Sequence, residues 1–61
     1  TSYKSIIADT DIPKGTVITH QMLTTKRPGF GIAPRYIDFI VGRKARIDIK
    51  EDTILTLDML M

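Results

Sequence analysis

Residues 11–23 and 48–60 of this 61-residue chain are two copies of one short sequence, DIPKGTVITHQML and DIKEDTILTLDML. Aligned without a gap, they are identical at Asp11/Asp48, Ile12/Ile49, Thr16/Thr53, Thr19/Thr56, Met22/Met59 and Leu23/Leu60. Ala8 and Ala45, three residues ahead of each copy, also match. An internal repeat constrains architecture more strongly than local propensity does, and two copies are too few for a solenoid. The repeat therefore predicts approximate twofold internal symmetry, with each copy supplying half of the core.

The repeat also divides the chain. We expect repeat units over about residues 5–23 and 42–60, and a connecting loop and short helix over residues 26–41, all within one domain of residues 1–61. The connecting segment has no second copy, so it breaks the symmetry and is where we expect the function to reside. Because the chain begins at Thr1 rather than Met, we also expect it to be a piece of a larger protein.

The composition is that of a small domain without disulfides. Chains of about 60 residues bury only about 60% of their unfolded surface, so we expect marginal stability. There is no cysteine, which fits a reducing, cytoplasmic setting. No apolar stretch approaches the roughly 20 residues of a transmembrane helix, so we expect no membrane partner.

Positive charge is concentrated in the middle of the chain. From Lys26 to Arg46 there are six basic residues and one acidic residue, whereas the rest of the chain has three basic and six acidic residues. A basic segment attracts anionic partners, although a solvated basic face is the more common outcome. Tyr36 and Phe39 lie in this segment without a nucleic-acid recognition motif or a strongly basic helix, so we do not expect nucleic acid as a partner.

The first copy predicts short strands joined by a turn. Ser5–Ala8 has the length and apolar character of a buried strand, and Pro13–Gly15 has turn chemistry. The β-branched run Thr16–Thr19 predicts a second strand. Thr19 is then placed to cap one helical turn over His20–Leu23, with Met22 and Leu23 facing inward.

The second copy predicts the same series of elements: a strand Arg46–Ile49, a turn Lys50–Asp52, a strand Thr53–Leu55, and a helical turn Leu57–Leu60 capped by Thr56. In the connecting segment, Pro34 suits the first position of a helix. The apolar residues that follow it predict a helix Pro34–Val41, which Gly42 ends.

The sequence contains no evident catalytic constellation. The one histidine, His20, corresponds to Leu57 in the second copy, so we interpret it as an exposed turn residue. A nucleophile–base pair would need a Ser or Thr with that His and a carboxylate, and a metal site needs three or four converging ligands. Pro28–Gly31 superficially resembles a glycine-rich phosphate loop but lacks its Lys-Ser/Thr ending. We therefore predict neither a catalytic residue nor a metal site here.

Four segments carry a family resemblance: SIIA at residues 5–8, DIPKGT at 11–16, RPGFGIAP at 27–34 and VGRKA at 41–45. Over essentially the whole chain they resemble the SAF, or antifreeze-like, domain at the carboxyl end of bacterial sialic acid synthases. The most specific part is Arg-Pro-Gly-x-Gly-Ile-x-Pro, which occurs in the synthase branch and is not required by the fold. The resemblance implies a mostly β fold with short helical turns, the pretzel-like β-clip with internal pseudo-twofold symmetry.

The resemblance also implies a function. Sialic acid synthases condense phosphoenolpyruvate with N-acetylmannosamine, or a related acylated sugar, in a manganese-dependent (β/α)8 barrel. In a swapped homodimer the SAF domain covers the active site of the partner subunit, and an Arg of its Arg-Pro-Gly loop reaches the acyl group of the sugar. Manganese and phosphoenolpyruvate are held by the barrel, so no cofactor is expected in this domain.

Arg27 is the residue that matches this arginine. Its fixed fork of donors suits a carbonyl acceptor, which a Lys would not match. We expect Pro28, Gly29 and Gly31 to shape the loop. We also expect Phe30 to cover the site against the barrel or the sugar, a role that is not taken from the family.

Two other functions fit the same residues. One is a module that only stabilises a dimer, with Arg27 an ordinary surface side chain. The other is ice binding, because type III fish antifreeze proteins share this fold. They bind ice through a flat, largely apolar face, which His20, Gln21 and Lys14-Gly15 disturb here. The sequence ahead of Thr1 would separate these functions, since a barrel there indicates a synthase and a signal peptide indicates secretion.

Overall fold

The computed structural model describes residues 3–61, and its regular elements are short. Two four-residue strands, β1 (Ser5–Ala8) and β2 (Leu23–Lys26), pair antiparallel with Ser5 opposite Lys26 and Ala8 opposite Leu23. One helix, α1 (Ile37–Ile40), follows a 3-10 turn at Pro34–Tyr36. Two further 3-10 turns occupy His20–Met22 and Leu57–Met59, the corresponding positions of the two copies.

The two copies pair with each other across a pseudo-twofold axis. At this axis Ile12 and Ile49 exchange backbone hydrogen bonds of 2.7 and 2.8 Å. Away from the axis, the hydrogen bonds of one copy recur in the other: Ala8 N–H to Thr53 O and Ala45 N–H to Thr16 O, Asp9 N–H to Met22 O and Arg46 N–H to Met59 O, and Gly15 N–H to Ala45 O and Asp52 N–H to Ala8 O. The sequence repeat is therefore a repeat of backbone geometry, as predicted.

Each copy also caps the turn of the other copy through an aspartate. The Asp48 carboxylate accepts a hydrogen bond from the backbone N–H of Lys14, and the Asp11 carboxylate accepts one from Glu51, both at 2.8 Å. These contacts span 34 and 40 residues, so they join the two copies, unlike the local turns that Asp makes with its own backbone. The identical Asp11 and Asp48 are thus explained by one reciprocal contact.

Both copies contribute to the core in matched pairs. The equivalent residues are all buried: Ala8/Ala45, Ile12/Ile49, Ile18/Leu55 and Leu23/Leu60. Ile6 from β1 and Ile40 from α1 complete the cluster, so the connecting segment is packed onto the repeat rather than detached from it. Within residues 3–61, no helix combines the length and apolar character needed to cross a membrane.

The predicted strand β1, the two turns and the inward-facing Met22–Leu23 and Met59–Leu60 pairs are confirmed. The predicted strands Thr16–Thr19, Arg46–Ile49 and Thr53–Leu55 are wrong. Each makes only one isolated bridge, at Val17, Ile49 and Ile54 respectively. Each segment pairs with its partner over only a few residues, so the β-branched residues there do not extend the bridge into a ladder.

The strand β2 was not predicted, because its sequence Leu-Thr-Thr-Lys has little apolar character. The predicted helix Pro34–Val41 is divided between a 3-10 turn and α1, and Val41 lies outside as its cap. Gly42 follows with φ 96°, which fits the predicted end of the helix.

The prediction that the side chains of Thr19 and Thr56 cap these turns is wrong. Both residues precede a 3-10 turn with extended backbone, but neither side chain makes a capping hydrogen bond to the turn. The Thr56 hydroxyl instead bonds to the carboxylate of Asp58.

The reciprocal aspartates give a stability prediction. Asp11→Ala removes the acceptor for the Glu51 N–H and should lower the free energy of unfolding by about 1 kcal/mol. Asp11→Asn keeps an acceptor oxygen in place and should recover most of that loss, and Asp48→Ala should match Asp11→Ala because the contact is symmetric. Urea denaturation of the variants measures these differences. Equal stability of Asp11→Ala and the parent sequence would show that the contact contributes nothing.

Candidate functional site

The segment Arg27–Ala33 connects β2 to the 3-10 turn at Pro34 and holds every site residue that the sequence singled out. The Arg27–Pro28 peptide bond is cis. Arg27, Pro28 and Gly29 are exposed and Gly31 is half-buried. Phe30 is 86% exposed, the most exposed of the large apolar side chains. The segment from Arg27 to Gly31 is called the Arg27 loop below.

Ser5 fixes the Arg27 loop to the core. It is the buried polar residue of β1, with no exposed surface. Its hydroxyl donates to the carbonyl of Pro28 and accepts from the N–H of Gly31 at 2.9 Å. The N–H of Ile6 also donates to the carbonyl of Ile32 at 2.9 Å. A buried hydroxyl satisfied in both directions is a strong local constraint, so the loop has a defined shape where it meets β1.

The two glycines of the loop are required by close backbone approach. A Cβ on Gly31 would lie 2.5 Å from Ile54 Cγ2 and 3.0 Å from the carbonyl oxygen of Leu55. A Cβ on Gly29 would collide with the side chain of Tyr3. Backbone atoms cannot move aside as a flexible side chain does, so overpacking at Gly31 costs stability. The shaping role predicted for these glycines has this physical basis.

Arg27 and its neighbour Lys26 differ in what they contact. Lys26 Nζ lies 2.9 Å from Asp52 Oδ1, and the hydrogen bond and charge of Asp52 raise the pKa of Lys26. Within residues 3–61, the Arg27 guanidinium makes neither a hydrogen bond nor a salt bridge. At the end of β2, the cation that is available to a ligand is therefore Arg27.

Most other cations of the basic segment contact groups of the protein itself. Arg43 donates to the carbonyls of Phe39 and Met61, at 2.6 and 3.4 Å. Arg46 donates to the carbonyl of Leu60 at 3.3 Å. Arg43 and Arg46 thus bond to backbone carbonyls of the domain, whereas Arg27 has no such partner among residues 3–61.

An apolar groove of about 440 Å³ begins at Gly31 and runs along α1. Its lining includes three exposed apolar side chains: Tyr36, Phe39 and Leu57. The rings of Tyr36 and Phe39 lie 6.1 Å apart and are tilted by 49°, an arrangement that aromatic pairs favour. Because Gly31 also lines the groove, this exposed apolar surface borders the Arg27 loop.

His20 contacts α1 through Asp38. It is exposed at the start of its 3-10 turn, as predicted, and its Nε2 is 3.5 Å from Asp38 Oδ1. Among residues 3–61, no three His, Asp or Glu side chains come together in a way that could hold a metal ion.

Comparison with known proteins identifies the domain. Residues 3–61 match the SAF domain model. This chain belongs to the SAF domain family. An antifreeze-protein-like domain from human N-acetylneuraminic acid phosphate synthase has the same fold, with a TM-score of 0.90, 33% identity, and coverage of 93% of this chain and 73% of that one.

Two enzymes contain a segment similar to this chain. The N,N'-diacetyllegionaminic acid synthase of Campylobacter jejuni is 45% identical over 53 residues, which are 85% of this chain and 16% of that enzyme. The human N-acetylneuraminate-9-phosphate synthase is 41% identical over 51 residues, which are 80% of this chain and 14% of that enzyme. The chain thus spans about a sixth of the length of these relatives. The resemblance drawn from the sequence motifs is confirmed.

Sequence reasoning placed the Arg27 loop but missed Ser5. Ser5 was assigned only to a buried strand, and its partners Pro28 and Gly31 lie 23 and 26 residues away in the chain. The position of Ser5 could have indicated this role, because a serine inside a buried apolar strand requires hydrogen-bond partners.

We expect Ser5→Ala to lower the free energy of unfolding of the SAF domain by about 1–3 kcal/mol, because it leaves the Gly31 N–H and the Pro28 carbonyl without their buried partner. Backbone amide exchange should accelerate first at Gly29–Gly31. Thr19→Ala is the matched control, since it removes a hydroxyl that makes no capping bond, and should change stability by less than about 0.5 kcal/mol. Equal losses in the two variants would show that Ser5 does not hold the loop.

Proposed function

We propose that this SAF domain covers the active site of a sialic-acid-type synthase barrel in the partner subunit of a homodimer. In this proposal Arg27 donates hydrogen bonds to the acyl carbonyl of an acylated mannosamine-type sugar. The observation that carries the proposal is the Arg27 loop itself. Its exposed guanidinium has no partner among residues 3–61, and a buried serine fixes the loop to the core. The relatives named above support it, because two of them are synthases of acids of this class.

The geometry suits a donor that must be positioned before the sugar arrives. A guanidinium on a fixed loop loses less conformational freedom on binding than one on a mobile loop, and preorganised donors stabilise charge more effectively. Arg27 also presents paired donors in one plane, which a carbonyl oxygen in a partly dried site accepts well. Because Gly29 and Gly31 pack closely against Tyr3 and Ile54, the loop backbone has little room to shift.

The exposed apolar side chains supply a surface for contact with the barrel. The side chains of Phe30, Phe39 and Leu57 are 86%, 67% and 72% exposed, respectively. Exposed apolar groups clustered beside a polar site are typical of protein contact surfaces. In the proposal Phe30 excludes water from the sugar, and the apolar groove beside α1 packs against the barrel.

The remaining chemistry belongs to the barrel in this proposal. Phosphoenolpyruvate and manganese are bound there, and this domain contributes no catalytic residue. The SAF domain acts by positioning the acyl group and excluding water, both of which lower the barrier without any proton transfer by its own residues.

The proposal predicts the kinetics of Arg27 variants of the full-length parent enzyme. Arg27→Ala should reduce kcat/KM for the acylated sugar by about 10- to 150-fold, since a charge-assisted hydrogen bond contributes about 1.5–3 kcal/mol. Arg27→Lys should also be impaired, because the planar fork is lost. Steady-state kinetics with each substrate varied in turn measure this effect, and the KM for phosphoenolpyruvate should change least.

Lys44→Ala is the control for the Arg27 variants. Lys44 is an exposed cation of the same basic segment, and it lies outside the Arg27 loop. Arg43→Ala is less suitable because Arg43 bonds two carbonyls of the domain. The thermal unfolding temperature of Arg27→Ala should match that of the parent. Unchanged kcat/KM in Arg27→Ala would leave the domain with a purely structural or dimer-stabilising role.

A further inference from the structure

A second groove, called the cationic groove here, borders the Arg27 loop. Its volume is about 480 Å³, and its lining includes Lys4, Arg35 and Tyr3 together with Gly29 and Gly31. Because it shares the two loop glycines, the groove is continuous with the Arg27 loop. The two glycines place loop backbone on the wall of the groove, where a ligand can reach it.

Arg35 is held in place on the wall of this groove. Its guanidinium carbon lies 4.9 Å from the centroid of the Tyr36 ring, and its Nη2 donates to the Tyr36 hydroxyl at 3.3 Å. A guanidinium stacked on an aromatic face keeps its in-plane donors available. These two contacts with Tyr36 orient Arg35 and leave the other N–H groups of its guanidinium for a ligand.

Within the part of the chain that the structure describes, Lys4 and Arg35 form no salt bridge with a carboxylate. None of the residues that line the groove is acidic. Within residues 3–61, the Asp38 carboxylate lies beside His20 and the Asp52 carboxylate pairs with Lys26, so neither compensates Lys4 or Arg35. Lys4 and Arg35 both line this concave surface, and two like charges at one concave surface raise the local concentration of anions there.

We infer that the cationic groove binds a small oxyanion, the carboxylate or phosphate group of a small molecule, between Lys4 and Arg35. A planar arginine fork matches both groups bidentately, and lysine adds a point charge. The place of this anion in a synthase reaction rests on the proposed function, in which the acid product carries a carboxylate. Binding of the anion to the groove does not rest on it.

The inference is tested by nuclear magnetic resonance titration of the 61-residue chain with inorganic phosphate and, separately, with pyruvate. Sodium chloride holds the ionic strength constant, so general screening does not change. We expect saturable shifts of the Gly29, Gly31 and Arg35 N–H signals with a Kd on the order of 1 mM. A response to phosphate alone assigns the ligand as a phosphate group, and a response to pyruvate alone assigns it as a carboxylate.

Charge-removing variants decide whether these two residues form the site. Arg35→Gln and Lys4→Gln should each weaken binding about fivefold, the effect of one unit charge about 4 Å away in water. Lys44→Gln, in which an exposed cation outside the groove is removed, should bind as the parent does. Shifts that do not saturate, that are equal near Lys14 and Lys50, or that persist in both groove variants would overturn the inference. Since no barrel is present, this result is independent of the Arg27 kinetics.

Discussion

The backbone pairing of Ile12 with Ile49 is the contact on which the rest of the structure depends. It is the point where the two copies meet, and the other inter-copy hydrogen bonds are arranged symmetrically around it. In so short a chain few residues lie in regular strands, so the backbone donors and acceptors must be satisfied between copies. Each copy alone would lack both its pairing partner and half of the core. The repeat therefore folds as one cooperative unit.

The Arg27 loop, through which we propose that the domain acts, lies where this symmetry ends. Ser5 corresponds to Gly42 in the second copy, and it is Ser5 that bonds the Arg27 loop at Pro28 and Gly31. The symmetric part of the molecule thus provides a rigid support, and the connecting segment provides the exposed groups. This separation explains how a SAF domain can keep its fold while the loop that it supports carries a specific contact.

The sequence predicted the fold and the loop better than it predicted the strands. The repeat, β1 and the position of the Arg27 loop depend on local pattern and motif, which the sequence states directly. The strand β2 depends instead on its pairing with β1, and Leu23–Lys26 shows no alternating apolar pattern of its own. The role of Ser5 depends on contacts more than twenty residues away, which no local propensity encodes. The Arg27 contact to a sugar stays a prediction.

The proposed action of Arg27 on the partner subunit is tested most directly with mixed dimers of the full-length parent enzyme. One subunit carries Arg27→Ala with an intact barrel, and the other carries an inactivated barrel with an intact SAF domain. If the domain covers the opposite active site, one barrel in each mixed dimer is both intact and correctly covered. Such dimers should then have about half of the working sites of the parent. Mixed dimers as inactive as either variant homodimer would contradict the account.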